Sequence, residues 1–228
     1  MSDNGAQPRD VLILAQGGLD WASSRYRAWW LADVWPRARV MLYSEFIAKA
    51  ADHWIYWPPA AVVVFQKIPN VQLASRLKAE GATVIYDLCD PMHWLNPREA
   101  ADMLRLADAV TVSNQGLADD IRYEFPNIAP TVIPDRMKPA AHPTVKQHAH
   151  KAAPVLLWFG NWRNSLALVA ANLTLARLAA EGVEFRLRLC DEAPDAVLQF
   201  DVPAEHVRWT LATFHETLLE ADIALLPA

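Results

Sequence analysis

The feature that most constrains this chain is a rhythm of short apolar runs separated by longer amphipathic stretches. The runs are VLILAQ (11–16), RVMLY (39–43), AVVVFQ (61–66), ATVIYDL (82–88), AVTVS (109–113) and TVIP (131–134). Each is bounded by polar or turn residues and is rich in β-branched side chains. Continuous runs of this kind suit strands buried on both faces, as in a parallel sheet. Residues 24–35 carry Tyr26, Trp29, Trp30 and Val34 near helical spacing. Residues 70–80 open on an N-cap asparagine and stop at Gly81, a good residue for a helix end. Residues 98–107 and 114–123 repeat the pattern. The alternation predicts βαβ crossovers with helices on both faces of the sheet.

Residues 136–153 break the rhythm. They hold prolines, scattered charges and no periodicity, and read as an exposed linker. Their histidines, His142, His148 and His150, read as solvated linker residues rather than metal ligands. The alternation then restarts with PVLLWFGN (154–161), a helix over 165–181 ending at Gly182, strands at 183–191 and 206–209, a helix over 213–221, and the strand DIALLPA (222–228). The fold class expected is therefore α/β: two doubly wound Rossmann-like units, 1–135 and 154–228, with the second incomplete. An apolar strand at the chain end implies that something covering it is missing, either a further segment or a partner.

Composition narrows the function classes. Apolar residues make up 53% of the chain, which excludes a disordered polymer. The net charge of −5 argues against a nucleic-acid binder, which needs a basic face. The longest apolar stretch, 54–65, contains two prolines and is shorter than the roughly 20 residues a membrane-spanning helix needs. The first ten residues lack the apolar core of a secretory signal. Cys89 and Cys190 lie far apart in strand-like runs, as reduced buried thiols of a cytoplasmic protein do. No zinc-ligand spacing occurs, so no metal is expected.

In open α/β sheets, ligands gather at the C-terminal ends of the strands. That rule selects Gly17 and Gly18 after the first run, where paired glycines either approach a phosphate or simply make a tight turn. Ser24, Arg25 and Arg27 follow. Positive charge in a first helical turn opposes the helix dipole, so the arginines serve an anionic ligand or are solvated. Asp87, Asp90 and His93 cluster after the fourth run as candidate proton-transfer or sugar-hydroxyl groups, with Asp90 alternatively a turn residue before Pro91. Ser113 and Asn114 sit where a helix cap belongs. In the second half, Gly160, Asn161 and Arg163 fit a diphosphate. Trp29, Trp30, Trp158 and Trp209 read as core, and Trp94 as a core or stacking residue. The dinucleotide fingerprint GxGxxG, the GxSxG elbow, HExxH and the P-loop are all absent.

The order of these features resembles a GT-B glycosyltransferase of the family-4 type (glycosyltransferase group 1). The resemblance rests on ASSRYRA after a glycine-containing loop, VIYDLCDPMHW, ADAVTVSNQGLADDI with TVIPD, then a linker, LLWFGN and LLEADIALLPA. It implies transfer of a sugar from a nucleotide-activated donor with retention at the anomeric carbon. It implies no metal and no cofactor beyond the nucleotide sugar itself as donor substrate. A glycan, lipid-linked or protein would be the acceptor, at the cytoplasmic face of a membrane. Gly17 and Gly18 would approach the donor phosphates or sugar, Arg25 and Arg27 the acceptor or the phosphates, Asp87, Asp90 and His93 the transferred sugar, and Gly160, Asn161 and Arg163 the diphosphate. The family's glutamate-containing donor segment would follow DIALLPA, and no lysine follows Arg163 within 164–176. The expectation is thus a chain lacking the end of its donor domain, with partner capture or self-association through its last strand. The alternative is a non-catalytic binding or assembly module on the same fold.

Overall fold

A computed structural model describes residues 10–52, 61–193 and 200–226. The chain divides into two compact units, Met1–Lys138 and Pro139–Ala228. In the first, β1 (Val11–Ala15), β2 (Ala38–Leu42), β3 (Val62–Gln66), β4 (Thr83–Leu88), β5 (Ala109–Val112) and β6 (Thr131–Val132) form one sheet in the order β2-β1-β3-β4-β5-β6. Every pairing in it is parallel. Parallel neighbours need crossover connections, and the helices supply them. They are α3 (Tyr43–Asp52), α4 (Val71–Ala79), α5 (Met92–Leu95), α6 (Pro97–Leu106) and α7 (Gln115–Glu124).

Strand β1 shows why its run is apolar throughout. Leu12 and Leu14 pack in the larger cluster with Val63, Phe65, Val84 and Tyr86. Val11, Ile13 and Ala15 pack in a second cluster with Ala28 and Ala38. Both faces are covered, as a parallel sheet requires. The helix ends follow the expected chemistry. Asn70 caps α4 by accepting from the Leu73 amide at 2.9 Å. Gly81 beyond α4 and Gly182 beyond the helix Val169–Ala180 take φ of 91° and 84°, the left-handed conformation that ends helices.

The helix expected over 24–35 forms with an unexpected winding. It runs as α1 (Ala22–Ser24), a π-helical stretch Arg25–Trp29, and α2 (Trp30–Ala32). The π stretch packs one more residue into the turn. Ser24, Arg25, Arg27 and Ala28 are all buried by it. Helix α3 was not anticipated. Among its described residues Phe46 is buried in the core and Tyr43 packs against it, an i, i+3 pair that the sequence carried but that was not read.

The second unit has a four-stranded sheet of order β10-β7-β8-β9, again parallel, from β7 (Val155–Phe159), β8 (Arg186–Asp191), β9 (Ala204–Arg208) and β10 (Ile223–Ala224). A seven-residue 3-10 helix, Trp162–Leu168, leads into α8 (Val169–Ala180), and α9 (Phe214–Glu220) precedes β10. Leu156 and Trp158 face one cluster, Leu157 and Cys190 the other. Both sheets are therefore Rossmann-like and doubly wound. Residues from Pro139 onward belong to the second unit, where Lys146 and Lys151 both pair with Asp222. The edge strand β10 leaves Ile223 half exposed. Among the described residues, no helix is long and apolar enough to cross a membrane. Most of the apolar stretch 54–65 lies outside the described residues.

Candidate functional site

A parallel sheet offers its binding crevice where successive crossovers change direction. In the first unit the chain leaves β1 for β2 on one side and returns to β3 on the other. The switch point is thus between β1 and β3, where Gln16, Gly17, Gln66 and Lys67 come together. Gln66 is wholly buried. Its Oε1 accepts from the Ser24 hydroxyl at 2.7 Å and from the Gln16 amide at 3.2 Å. The Ser24 hydroxyl oxygen in turn accepts from the Gly17 amide at 3.0 Å, and Gly17 O accepts from Trp29 Nε1 at 2.9 Å. The Gly17 amide is therefore engaged with the helix behind it. A Cβ on Gly17 would lie 2.7 Å from Trp21 Cβ, so glycine is needed for this approach.

Arg27 and Asp87 form the electrostatic centre. Arg27 donates to both carboxylate oxygens of Asp87, and its side chain is 4% exposed. Thr111 Oγ1 donates to Asp87 Oδ1 at 2.6 Å. The remaining Arg27 nitrogen reaches Ile133 O at 2.8 Å and Asp135 Oδ1 at 2.7 Å. Burial opposes the guanidinium charge, but the hydrogen bonds and charges of Asp87 and then Asp135 outweigh it and raise the Arg27 pKa. Arg27 thus has its carboxylates built in. Arg25 is also buried and donates to Leu19 O at 2.8 Å, closing the same loop.

Next along the strand ends, Lys67 and Asp90 form an ion pair. The Lys67 side chain is 12% exposed and that of Asp90 46%. Lys67 has φ of 61°, a left-handed backbone that costs a residue with a Cβ free energy. The Asp90 carbonyl also accepts from the Met92 amide at 2.7 Å, so Asp90 makes the turn as well. Beside it, burial and then the Asp90 charge push the Cys89 thiol up to about 12, which keeps it protonated. Ser113 is half-buried and Asn114 caps α7 through the Leu117 amide at 2.9 Å.

His93 is separate from this group. Its side chain is fully buried, with ring contacts to Trp94 and Phe125 and Nε2 4.0 Å from Glu124, at the C-terminal end of α7. Neither ring nitrogen has a hydrogen-bond partner. The structure thus brings Ser24, Arg27, Asp87 and Asp90 to the strand ends and packs His93 against Trp94 and Phe125.

In the second unit the switch point lies between β7 and β10. Gly160 follows β7, and its amide donates to Cys190 O at 3.2 Å. A Cβ there would lie 2.8 Å from the Trp158 ring. Asn161 caps the 3-10 helix by accepting from the Arg163 amide at 3.0 Å and donates to Glu192 Oε1 at 2.6 Å. Arg163 is exposed at this helix start. On the neighbouring strand, Asp191 is wholly buried. Burial raises its pKa, and the Ala193 amide, donating to Oδ1 at 2.6 Å, works against that rise. A cavity of about 500 Å³ lined by Gly182, Val183, Phe185, Val202 and Pro203 opens at the opposite, N-terminal end of β8.

No protein-family model matches the chain, and no curated protein matches it. Similar solved structures include two proteins named for glycosylation or glucosyl transfer. One is the glycosylation-associated protein (Gap123) complex of Streptococcus agalactiae, with a TM-score of 0.38 and 8% identity over 81% of this chain and 41% of that one. The other is an alpha-glucosyltransferase in complex with UDP and a 13-mer DNA containing a HMU base, with a TM-score of 0.49 and 11% identity. That alignment covers 95% of this chain and 70% of the other. Both likenesses are distant. The chain spans less than half the length of the first. Strand order and pairing, seen directly in this chain, establish the fold.

Four residues of the site escaped the sequence reading: Gln66, Lys67, Thr111 and Asp135. Gln66 and Lys67 carried a usable signal, since Gln66 is the polar end of the run 61–66 and Lys67 follows it.

Proposed function

We propose that this chain binds a nucleotide-activated sugar and serves in glycosyl transfer, with retention, to a glycan, lipid-linked or protein acceptor. The observation that carries the reading is that the switch point of the second sheet coincides with Gly160, Asn161 and Arg163. Glycine permits close approach, and Arg163 offers a planar, permanently charged fork suited to phosphate oxygens. Charge that develops on a leaving diphosphate is best stabilised by donors already in place. The order of sequence motifs supports the same assignment. The acceptor is assigned to the first unit, at Lys67, Asp90 and Ser113. Asp87 is assigned a positioning role, because Arg27 and Thr111 occupy its oxygens.

That same closure favours a second reading, a binding or assembly module that keeps the fold without turnover. Incubating the chain with labelled nucleotide sugars and a mixture of glycan, lipid-linked and peptide acceptors separates the two. Label in an acceptor, lost on Arg163→Ala, supports transfer. Binding of a nucleotide sugar without label in any acceptor or in water supports the module. Absence of both refutes the donor assignment.

A further inference from the structure

His142 and His215 come from separate parts of the second unit. His142 follows the 3-10 turn Pro139–Ala141, and its amide donates to Pro139 O at 2.9 Å. His215 is the second residue of α9. Both side chains are half-buried, and their Nδ1 atoms are hydrogen-bonded to each other at 3.2 Å, with ring centroids at 5.3 Å and planes inclined by 62°. Two metal–imidazole bonds of about 2.0–2.1 Å that end 3.2 Å apart subtend an angle of roughly 100°, within the range of four-coordinate sites.

We propose that His142 and His215 form a two-imidazole site for a borderline divalent transition-metal ion, copper(II) in preference to nickel(II) or zinc(II). Among the described residues, no group of three or more His, Cys, Asp and Glu is placed to hold a metal ion. The ion would take the place of the proton shared by the two Nδ1 atoms, and solvent would complete the shell. An open imidazole site of this kind follows the general affinity order, in which copper exceeds both neighbours.

The site has a structural consequence. Lys146 donates to Ala221 O, just past the end of α9, and pairs with Asp222 at 2.7 Å. The segment from His142 to Lys146 is thus tied near both ends of α9. A bound ion makes the first tie a coordination bond and stabilises the folded unit by binding it preferentially. The ligands must be neutral, so acid weakens the site. The role is structural and independent of the sugar-transfer reading.

The test uses the full chain, free of any histidine tag and stripped with chelator, titrated separately with copper(II), nickel(II) and zinc(II) salts. Calorimetry and thermal melting are read together. The proposal predicts one ion per chain, copper tightest, and a raised Tm. His142→Ala and His215→Ala should each weaken binding about tenfold or more and remove the Tm shift. His215→Gln, which keeps size and polarity, guards against a folding defect, and the metal-free variants are checked by circular dichroism. The double variant His148→Ala, His150→Ala should bind like the parent. No saturable binding, or binding that depends on His148 and His150 rather than on His142 and His215, overturns the proposal. Equal affinity in folded His142→Ala or His215→Gln also overturns it.

Discussion

Arg27 and Asp87 meet through two parallel hydrogen bonds, Nε to Oδ2 at 2.7 Å and Nη2 to Oδ1 at 2.6 Å, across 60 positions of sequence. Both side chains are nearly inaccessible. The pair joins the π-helical stretch to β4, and Arg27 then reaches Ile133 and Asp135 beyond β6. One guanidinium thereby fixes three parts of the strand edge.

Removing one partner leaves the other buried and uncompensated. Arg27→Ala should destabilise the first unit by about 3–5 kcal/mol, whereas the apolar pair Arg27→Met, Asp87→Leu should recover most of that loss. Urea unfolding of the two variants checks this. A loss below about 1 kcal/mol in Arg27→Ala would mean that the pair is solvated, as a surface ion pair is.

Lys67 separates function from stability. A residue with a Cβ in the left-handed region costs about 1–2 kcal/mol. Glycine there relieves that cost but adds about 0.5–1 kcal/mol of chain entropy, and loss of the partly exposed Asp90 pair costs about 0–1 kcal/mol. These contributions nearly cancel. Lys67→Gly should therefore melt close to the parent while acceptor use falls. Unchanged transfer rates in Lys67→Gly would remove Lys67 from the acceptor site.

Asp191 supplies a pH test. Its folded pKa is raised by burial, opposed by the Ala193 amide. A raised acid favours the folded state below its unfolded pKa, and that contribution is lost as pH rises through the folded value. Asp191→Asn removes the buried charge and retains an acceptor for Ala193. The variant should gain Tm over the parent at neutral pH, and the gain should shrink toward acid. Melting curves from pH 4 to pH 8 read this directly, and a gain independent of pH would contradict it.

The central strands were legible because both their faces are covered, which leaves an uninterrupted apolar run such as Val11–Ala15. Helix α3 was not read, although Tyr43 and Phe46 pack it against the core. The π winding at Arg25–Trp29 accompanies the burial of Arg27 against Asp87, a long-range pairing with no local signal. For the same reason the sequence marked Asp87 as reactive, although its oxygens are filled by Arg27 and Thr111. His93 shared a strand end with Asp90 on paper, but the short helix α5 turns it into the apolar contact with Phe125. Asn70 and Asn114 read correctly as caps because capping is local chemistry.

The most direct test of the central claim is a calorimetric titration of the chain with nucleotide sugars and free nucleotides, repeated on Arg163→Ala and Gly160→Trp. Saturable binding that weakens in both variants while their melting curves stay cooperative is the predicted result. Equal binding by the parent and both variants would place the ligand elsewhere, and no binding by the parent at millimolar ligand would contradict the donor site itself.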